Sequence, residues 1–460
     1  MPRALVTYWN LHRISILLLA LGLGLYAAFA YDLARADSVK LVTLYAALFF
    51  LAFKLIQFEK WNYRFLVVGG ILMRLVFFLA EPNLSQDFYR FVWDGILVLD
   101  GGNPYAITPD AFMEQGGRGF PLAETLHQGM GSLSARNYSN YPPVNQYFFA
   151  LAVWLGGKTL WGSLLAMRAL LLAADIGILY LGRKLLRSLN KPPQLIFWYF
   201  LNPLIIVELG GNLHFEGLMI FFFLMGFYLL VHASWVWAAI PYALSIGVKL
   251  MPLLLLPLFW PLLGWKRGFG FYAITAATLG LAVYPLYFPE FLPHYLQTLK
   301  LWFSNFEFNA GLYTLAEKLA VWQGAKPWEF IADYGRYVPW LTALVAGLLC
   351  FHPKMRSPRH WFTGALGVFS VYYLTAAVVH PWYLAFPLLL SLFTRFRFPI
   401  AWSALVVLSY TAYASEVVEE LPLLLFVEYF IVIGYMVYEI VRMRRDIYAF
   451  FKKESPKSAN

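Results

Sequence analysis

A near-unbroken succession of apolar runs, separated by short hydrophilic gaps, constrains this chain more than any other feature. A helix needs about 20 apolar residues to cross the hydrocarbon core, somewhat fewer where the bilayer thins. Such runs lie at Ile14–Tyr31, Val39–Ile56, Tyr63–Ala80, Gly162–Gly182, Gln194–Leu209, Leu213–Val231 and Ser234–Lys249. Further along come Met251–Leu263, Phe269–Phe288, Pro339–Phe351, Trp361–His380, Trp382–Phe393, Pro399–Ser415 and Leu421–Val441. They predict an all-α polytopic membrane protein with about 14 transmembrane helices, the short pair around Lys249 being the weakest. Composition closes off a soluble alternative. Of the residues, 61% are hydrophobic and only 13% charged, against roughly 25% charged in a soluble domain. Arg3, His12 and Arg13 before the first run, and Ala28–Ala30 at its end, give it the layout of a signal peptide. The apolar segments that follow at once favour an uncleaved first span.

Net charge is +10, from 35 Lys and Arg against 25 Asp and Glu. In a soluble protein that balance would raise nucleic acid as a partner. Here the cations sit at the ends of apolar runs, so they report orientation and no nucleic-acid partner is expected. The clusters are Lys60–Arg64, Arg183–Arg187, Lys266–Arg267, Lys354–Arg359, Arg395–Arg397 and Arg442–Arg445. Placing all of them in the cytoplasm gives one alternation, with both termini inside. It also makes Gln146–Leu155 a helix lying at the outer interface, with Trp154 and Trp161 near its end. Two long stretches then fall outside, about 81–161 and 289–338, rich in aromatics, Gly and Pro. Loops of that length are uncommon unless functional or disordered. The expected organisation is a single domain over 1–451, with amphipathic helices in both external loops, and a disordered cytoplasmic tail over 452–460. The single cysteine, Cys350, permits no intrachain disulfide and no Cys/His metal cluster. Arg74 and Asp175 are the clearest charges inside apolar runs. They either clamp helices together or act in function.

The segment richest in reactive groups follows the third run: Asp87-Phe-Tyr89-Arg90-Phe-Val-Trp93-Asp94-Gly95, then Gly102-Asn103-Pro104-Tyr105. On a helix Asp87, Arg90 and Asp94 share a face. Two carboxylates with an arginine between them can form an acid/base and phosphate site; spacing alone favours a salt-bridged amphipathic helix. Other unusual polar groups fall at the same membrane edge: Tyr141-Pro142-Pro143, Glu208, Asn212, His214, Glu216, Lys249, Asn305–Asn309 and His380-Pro381-Trp382-Tyr383. Each has a plainer role. His380 can bond a carbonyl at a helix end. Lys249 can snorkel to the interface. Asn212, His214 and Glu216 can cap helices around Gly210-Gly211. Glu208, His214 and Glu216 could also hold a divalent metal, but no close His-x-x-x-His spacing favours one, and no cofactor is expected. Their confinement to one face favours a shared site.

The run Asp87-x-Tyr89-Arg90-x-x-Trp93-Asp94-Gly95, with Gly102–Tyr105 and Tyr141–Pro143, resembles the first external loop of the GT-C glycosyltransferases. It is most similar to the bacterial polyprenol-phosphate-mannose-dependent mannosyltransferases. Asn202-Pro203, Gly211-Asn212-x-His214-x-Glu216, Lys249-Leu-Met-Pro252 and His380–Tyr383 continue the pattern in order, from about Arg74 to Phe393. Two departures stand out. Many relatives carry adjacent acids where this chain has Gln86-Asp87, and many have Asp where it has Glu216.

The resemblance implies a hexosyltransferase, with mannose the expected sugar and a polyprenyl-phosphate sugar as donor. The acceptor hydroxyl belongs to a lipid, glycan or protein. Asp87 matches the family's catalytic base, with inversion at the anomeric carbon. Phosphate is a good leaving group, so such an enzyme needs one base and a set of groups to neutralise the departing oxygens. Arg90, Lys249, His380 and Tyr383 are the expected phosphate partners. Tyr89, Asp94, Tyr105, Tyr141, Asn212, His214, Glu216 and Trp382 are the expected sugar and acceptor contacts. The implied location is a bacterial inner membrane, with the site facing the periplasm. The rivals are a lipid-linked-glycan flippase or transporter, which needs a polar path through the midplane, and a surface polysaccharide ligase or polymerase.

Overall fold

A computed structural model describes residues 3–116, 119–415 and 417–444. The tail expected over 452–460 and Arg445 lie outside the described residues. The chain is helical throughout, and the only β pairing among the described residues is a single parallel bridge between Phe308 and Val378. Large apolar side chains cover the periphery: Leu11, Val39, Leu79, Leu281, Phe426 and Phe430 are all exposed. Apolar surface on that scale requires lipid, and the protein is an integral membrane protein.

The opening helices are α1 (Arg3–Tyr31), α2 (Ser38–Glu59) and α3 (Tyr63–Leu75). They are tied at one end by His12 Nδ1 to Glu59 Oε1 at 2.8 Å and at the other by the Tyr31 hydroxyl to Val76 O at 2.8 Å. A hydrophilic excursion follows: α4 (Asp87–Leu99), α5 (Pro109–Glu114), α6 (Ala123–Ala135) and α7 (Pro143–Leu155). The α4 and α7 helices cross closely because Gly95 has no side chain. A Cβ there would lie 2.7 Å from the Phe149 carbonyl oxygen. Trp154 and Leu155 at the end of α7 are exposed, whereas Gln146, Phe149 and Val153 are fully buried against its neighbours.

α8 (Leu160–Ser188) returns the chain, and Arg74 clamps it to α3: Nε bonds Asp175 Oδ2 at 2.7 Å, and Nη1 bonds Gly70 O and Phe200 O at 2.9 Å. The next run, expected as one crossing over Gln194–Leu209, is broken. Pro193–Phe200, containing α9 (Phe197–Phe200), and the π-helical turn Ile205–Gly211 meet at 60°. Pro203 between them removes an amide and forces the break. α10 (Glu216–His232) and α11 (Trp235–Val248) then pack as a hairpin, Gly226 meeting Ala238 and Tyr242.

Among the described residues, five helical stretches are long and apolar enough to cross a membrane: Thr7–Tyr31, Ser38–Glu59, Leu160–Ser188, Met251–Leu286 and Pro422–Arg442. The fourth is not one rod. Within α12 (Leu256–Val283), the Tyr272 hydroxyl bonds Leu256 O at 2.9 Å and the Phe259 and Phe271 rings stack at 5.0 Å. Sixteen residues of straight helix span about 24 Å. The chain therefore doubles back, at Gly264, whose φ of 69° is the left-handed conformation such a reversal needs. The reversal falls beside Lys266–Arg267.

The later helices are α13 (Phe291–Ser304), α14 (Gly311–Trp322), α15 (Pro327–Cys350), α16 (Pro358–Thr375), α17 (Ala385–Leu392), α18 (Phe398–Leu405) and α19 (Pro422–Arg442). One boundary differs from expectation. The stretch 327–338, expected as external loop, is continuous with the run after it, and α15 passes through Pro339 unbroken. Its buried stripe of Ile331, Gly335, Val338, Thr342 and Ala346 keeps helical spacing across the proline, so packing holds the helix together.

Candidate active site

The α4 helix starts at Asp87, whose amide bonds Ser85 Oγ at 3.2 Å. The three charges expected on one face of this helix separate. Arg90 and Asp94 form a buried pair, Nε to Oδ1 at 2.7 Å. Arg90 Nη1 also donates to Ser134 O and Asn137 O at 2.7 and 3.0 Å. Asp94 Oδ2 accepts from Ser139 Oγ and Gln146 Nε2 at 2.7 and 3.0 Å. This network stitches α4 to α6, α7 and the turn between them. Asp94 is 0% exposed, so it cannot touch sugar or acceptor as expected, and the Arg90 bonds are to the loop itself rather than to a phosphate.

Asp87 remains half-buried at the edge of a different cluster. Tyr141, Lys249, Glu216 and Arg35 all act on its carboxylate. Burial raises its pKa above the ordinary carboxylate value; Lys249, Tyr141 and Arg35 oppose the rise and Glu216 adds to it. Lys249 is the extended residue (φ −147°, ψ 137°) that ends α11. Its Nζ lies 3.0 Å from Glu216 Oε1 and 5.3 Å from the Tyr141 ring centroid.

The far wall is aromatic. The Trp382 ring lies between two imidazoles, 3.7 Å from His214 and 4.5 Å from His380, with interplanar angles of 15° and 7°. Tyr383 meets His380 edge-on at 5.3 Å. Phe308 meets it at 5.0 Å, fixed there by the bridge in which the Phe308 amide bonds Ala377 O and the Val379 amide bonds Phe308 O. His214 stands just past the π-helical turn, beside Leu213, whose φ of 64° is strained for a bulky side chain. Asn212 holds that geometry: its Oδ1 accepts from the Leu84 amide at 2.9 Å and its Nδ2 donates to Val207 O at 3.1 Å.

Three expected contacts thus serve as scaffold. Asn212 is buried and bonded within the backbone turn. Tyr105 is 0% exposed and bonds the Tyr141 carbonyl at 2.5 Å. The Tyr89 hydroxyl bonds Glu81 at 2.9 Å, and its ring covers Gly129 of α6. Asp87, Tyr141, His214, Glu216, Lys249, His380, Trp382 and Tyr383 do come together.

Arg35, in the turn between α1 and α2, was not expected. Its guanidinium lies 3.3 Å over the Tyr413 ring and acts on Asp87, Glu208 and His380. Its Nε is buried and has no hydrogen-bond partner among the described residues, as is true of Glu216 Oε2 and His214 Nε2. Buried polar atoms left over in this way call for a partner, and they also occur at Arg74 Nη2, Arg90 Nη2 and Asp175 Oδ1. A signal for Arg35 was present in the sequence: it is a cation in a turn that the orientation rule assigns to the outer side. Glu208 and His214 approach to 3.6 Å, too long for a hydrogen bond, while Glu216 is engaged by Lys249. Among the described residues no group of three or more His, Cys, Asp or Glu is arranged to hold a metal ion.

The geometry is one base-type carboxylate facing two cations, walled by flat rings. Residues 37–264 match the N-terminal domain of the alpha-(1->6)-mannopyranosyltransferase (MptA_B) family. The matched domain is of the GT-C mannosyltransferase type. The chain is a glycosyltransferase with a role in mannosyl transfer. No curated protein matches it. Of this cluster, Asp87, Tyr141, His214, Glu216 and Lys249 lie in the matched stretch, Arg35 lies before it, and Phe308, His380, Trp382, Tyr383 and Tyr413 lie after it.

Proposed function

We propose that the protein transfers mannose from a polyprenyl-phosphate donor to an acceptor hydroxyl, in one inverting displacement with Asp87 as base. The acceptor oxygen attacks the anomeric carbon as the bond to the phosphate oxygen breaks. The phosphate leaves with the bonding pair, and Asp87 takes the hydroxyl proton. A single displacement that makes the alpha linkage named for the family requires a β-linked donor. The observation that carries this reading is the half-buried Asp87 carboxylate, on which the charges of both Lys249 and Arg35 act.

Lys249 and Arg35 neutralise the leaving phosphate, Lys249 exchanging its partner Glu216 for the incoming anion. Glu216, once released, is available to an acceptor hydroxyl. The aromatic wall borders the space left to a sugar ring at His380 and Tyr383, with Trp382 and His214 stacked behind in support. Arg90, Asp94, Tyr105, Tyr89 and Asn212 hold the loop and the turn that carry these groups. The chemistry as written calls on no metal and no cofactor. Residues 1–451 form one domain of about 14 crossings. The stretches 81–161 and 289–326 lie outside, both termini lie in the cytoplasm, and the site faces the periplasm of a bacterial inner membrane. The acceptor is a lipid, glycan or protein.

The test uses purified protein in nanodiscs with radiolabelled polyprenyl-phosphate mannose and compares wild type with Asp87→Asn. Label released by wild type and lost in the variant, with donor binding intact, is the expected result. Donor binding with unchanged turnover in Asp87→Asn overturns the base assignment. Absence of donor binding moves the transporter and ligase readings ahead.

A further inference from the structure

A wide cleft lies away from the site just described. It has a volume of about 860 Å³ and is built where four separated segments meet: the turn after α8, the stretch from the end of α15 into α16, the turn between α17 and α18, and the end of α19. Each of the first three brings cations, namely Lys191, Lys354 with Arg359, and Arg395. Among the described lining residues there is no carboxylate. Glu439 of α19 is turned to the amides of Arg397 and Phe398, at 2.8 to 3.0 Å. Membrane topology accounts for basic turns on one side of the bilayer. It does not account for three of them converging around a cavity.

We infer that this cleft binds the phosphate head of an anionic phospholipid, with the acyl chains lying along its apolar wall. Lys191 is fixed over the cavity by a bond from Nζ to Thr394 O at 2.9 Å. Burial, with Arg397, Arg395 and Arg359 around it, pushes the Lys191 ammonium down to about 8; a bound anion relieves that crowding. The α16 helix starts at Pro358, so its amide-rich first turn adds to the positive field. A soluble phosphate would need only the cations. The wall argues for a lipid, since Leu349 of α15 and Ile440 of α19 line the cleft on helices whose outer faces are lipid-type surface. Beside them Leu348, Phe351 and Val441 are 66%, 86% and 57% exposed. The lipid would bridge α8, α16 and α19, three helices that otherwise end separately.

Native mass spectrometry of the full chain in detergent tests this, with phosphatidylglycerol, phosphatidylcholine and inorganic phosphate in separate titrations. Retention of phosphatidylglycerol well above phosphatidylcholine is expected. Arg359 and Arg395 are exposed, so the variant Arg359→Gln/Arg395→Gln can lose charge without leaving a hole. At about fivefold per cation, it should bind phosphatidylglycerol roughly thirtyfold more weakly. Its lipid-free unfolding midpoint, matching wild type, excludes misfolding. Equal retention of the two lipids, or phosphatidylglycerol binding unchanged in the double variant, overturns the proposal. Binding of inorganic phosphate as tight as that of the lipid reassigns the cleft to a soluble anion. Mannosyl transfer assayed on the same samples keeps this outcome separate from the proposed catalytic role.

Discussion

The two ends of α4 hold charges of opposite character. At Arg90 and Asp94 each ion has its partner, both are enclosed, and the pair is bonded on to Ser134, Asn137, Ser139 and Gln146. At Asp87, two turns earlier, the carboxylate is half-buried and faces cations that belong to other segments. The same contrast separates Arg74–Asp175, shut between helices, from Lys249–Glu216, whose lysine is part-exposed. An enclosed ion pair organises the fold, because either charge left alone would be buried in low dielectric. A half-open cluster can exchange a partner for a ligand. Charge alone does not distinguish them; what surrounds each charge does.

That contrast can be broken most decisively at Asp87. Asp87→Asn should lower mannosyl transfer by about 10²- to 10⁴-fold while leaving the unfolding midpoint near wild type. If Asp94→Asn, in a stably folded protein, gave the same kinetic loss, the division between the two ends of α4 would be wrong. Asp94→Asn should instead act on stability, by about 3–5 kcal/mol, because it strands Arg90. Denaturant unfolding in detergent reads it, and the activity per folded molecule should stay within a few-fold. Arg35→Gln comes next: KM for the donor should rise roughly 10- to 100-fold, with kcat less affected, as expected for a lost charge-assisted bond to phosphate. The smallest effect is on pH. Protonated Asp87 cannot accept a proton, so activity falls as pH drops through its pKa. Because burial raises that pKa, the acid limb should lie above the usual carboxylate range, near 3.9 for an exposed aspartate. Lys249 pulls the pKa down, so Lys249→Met should move the acid limb of its residual activity further up.

Membrane character and helical class were legible because they rest on run length and charge deficit, which local sequence carries. The one-sided placement of Tyr141, Glu216, Lys249 and His380 was legible for a related reason: orientation follows from where basic residues sit. Spacing along α4 could not say which of its two carboxylates is enclosed. That depends on Ser139 and Gln146, which lie 45 and 52 residues further along the chain from Asp94. Tyr105 and Asn212 carried the right chemistry for sugar contacts but turned out to brace Tyr141 and the strained turn at Leu213. Arg35 was missed because its short turn holds no motif, although a cation on the side that basic clusters avoid was itself a signal. The continuous α15 was missed for the opposite reason, since Pro339 reads locally as an end while the buried stripe runs through it.

The stack of His214, Trp382 and His380 has a consequence for how the protein is made. Its outer members are separated by 166 residues of chain, and the cleft also needs Tyr413 to seat Arg35. A ribosome delivers residues in order, so Lys249 and Glu216 are in the membrane long before the wall that faces them. Until residue 413 has emerged, the nascent chain holds a cation and a carboxylate paired with each other and nothing for a sugar to rest against. Competence to bind donor should therefore switch on late and abruptly in synthesis, and a chain stopped at Gly264 should insert into the membrane yet remain inert.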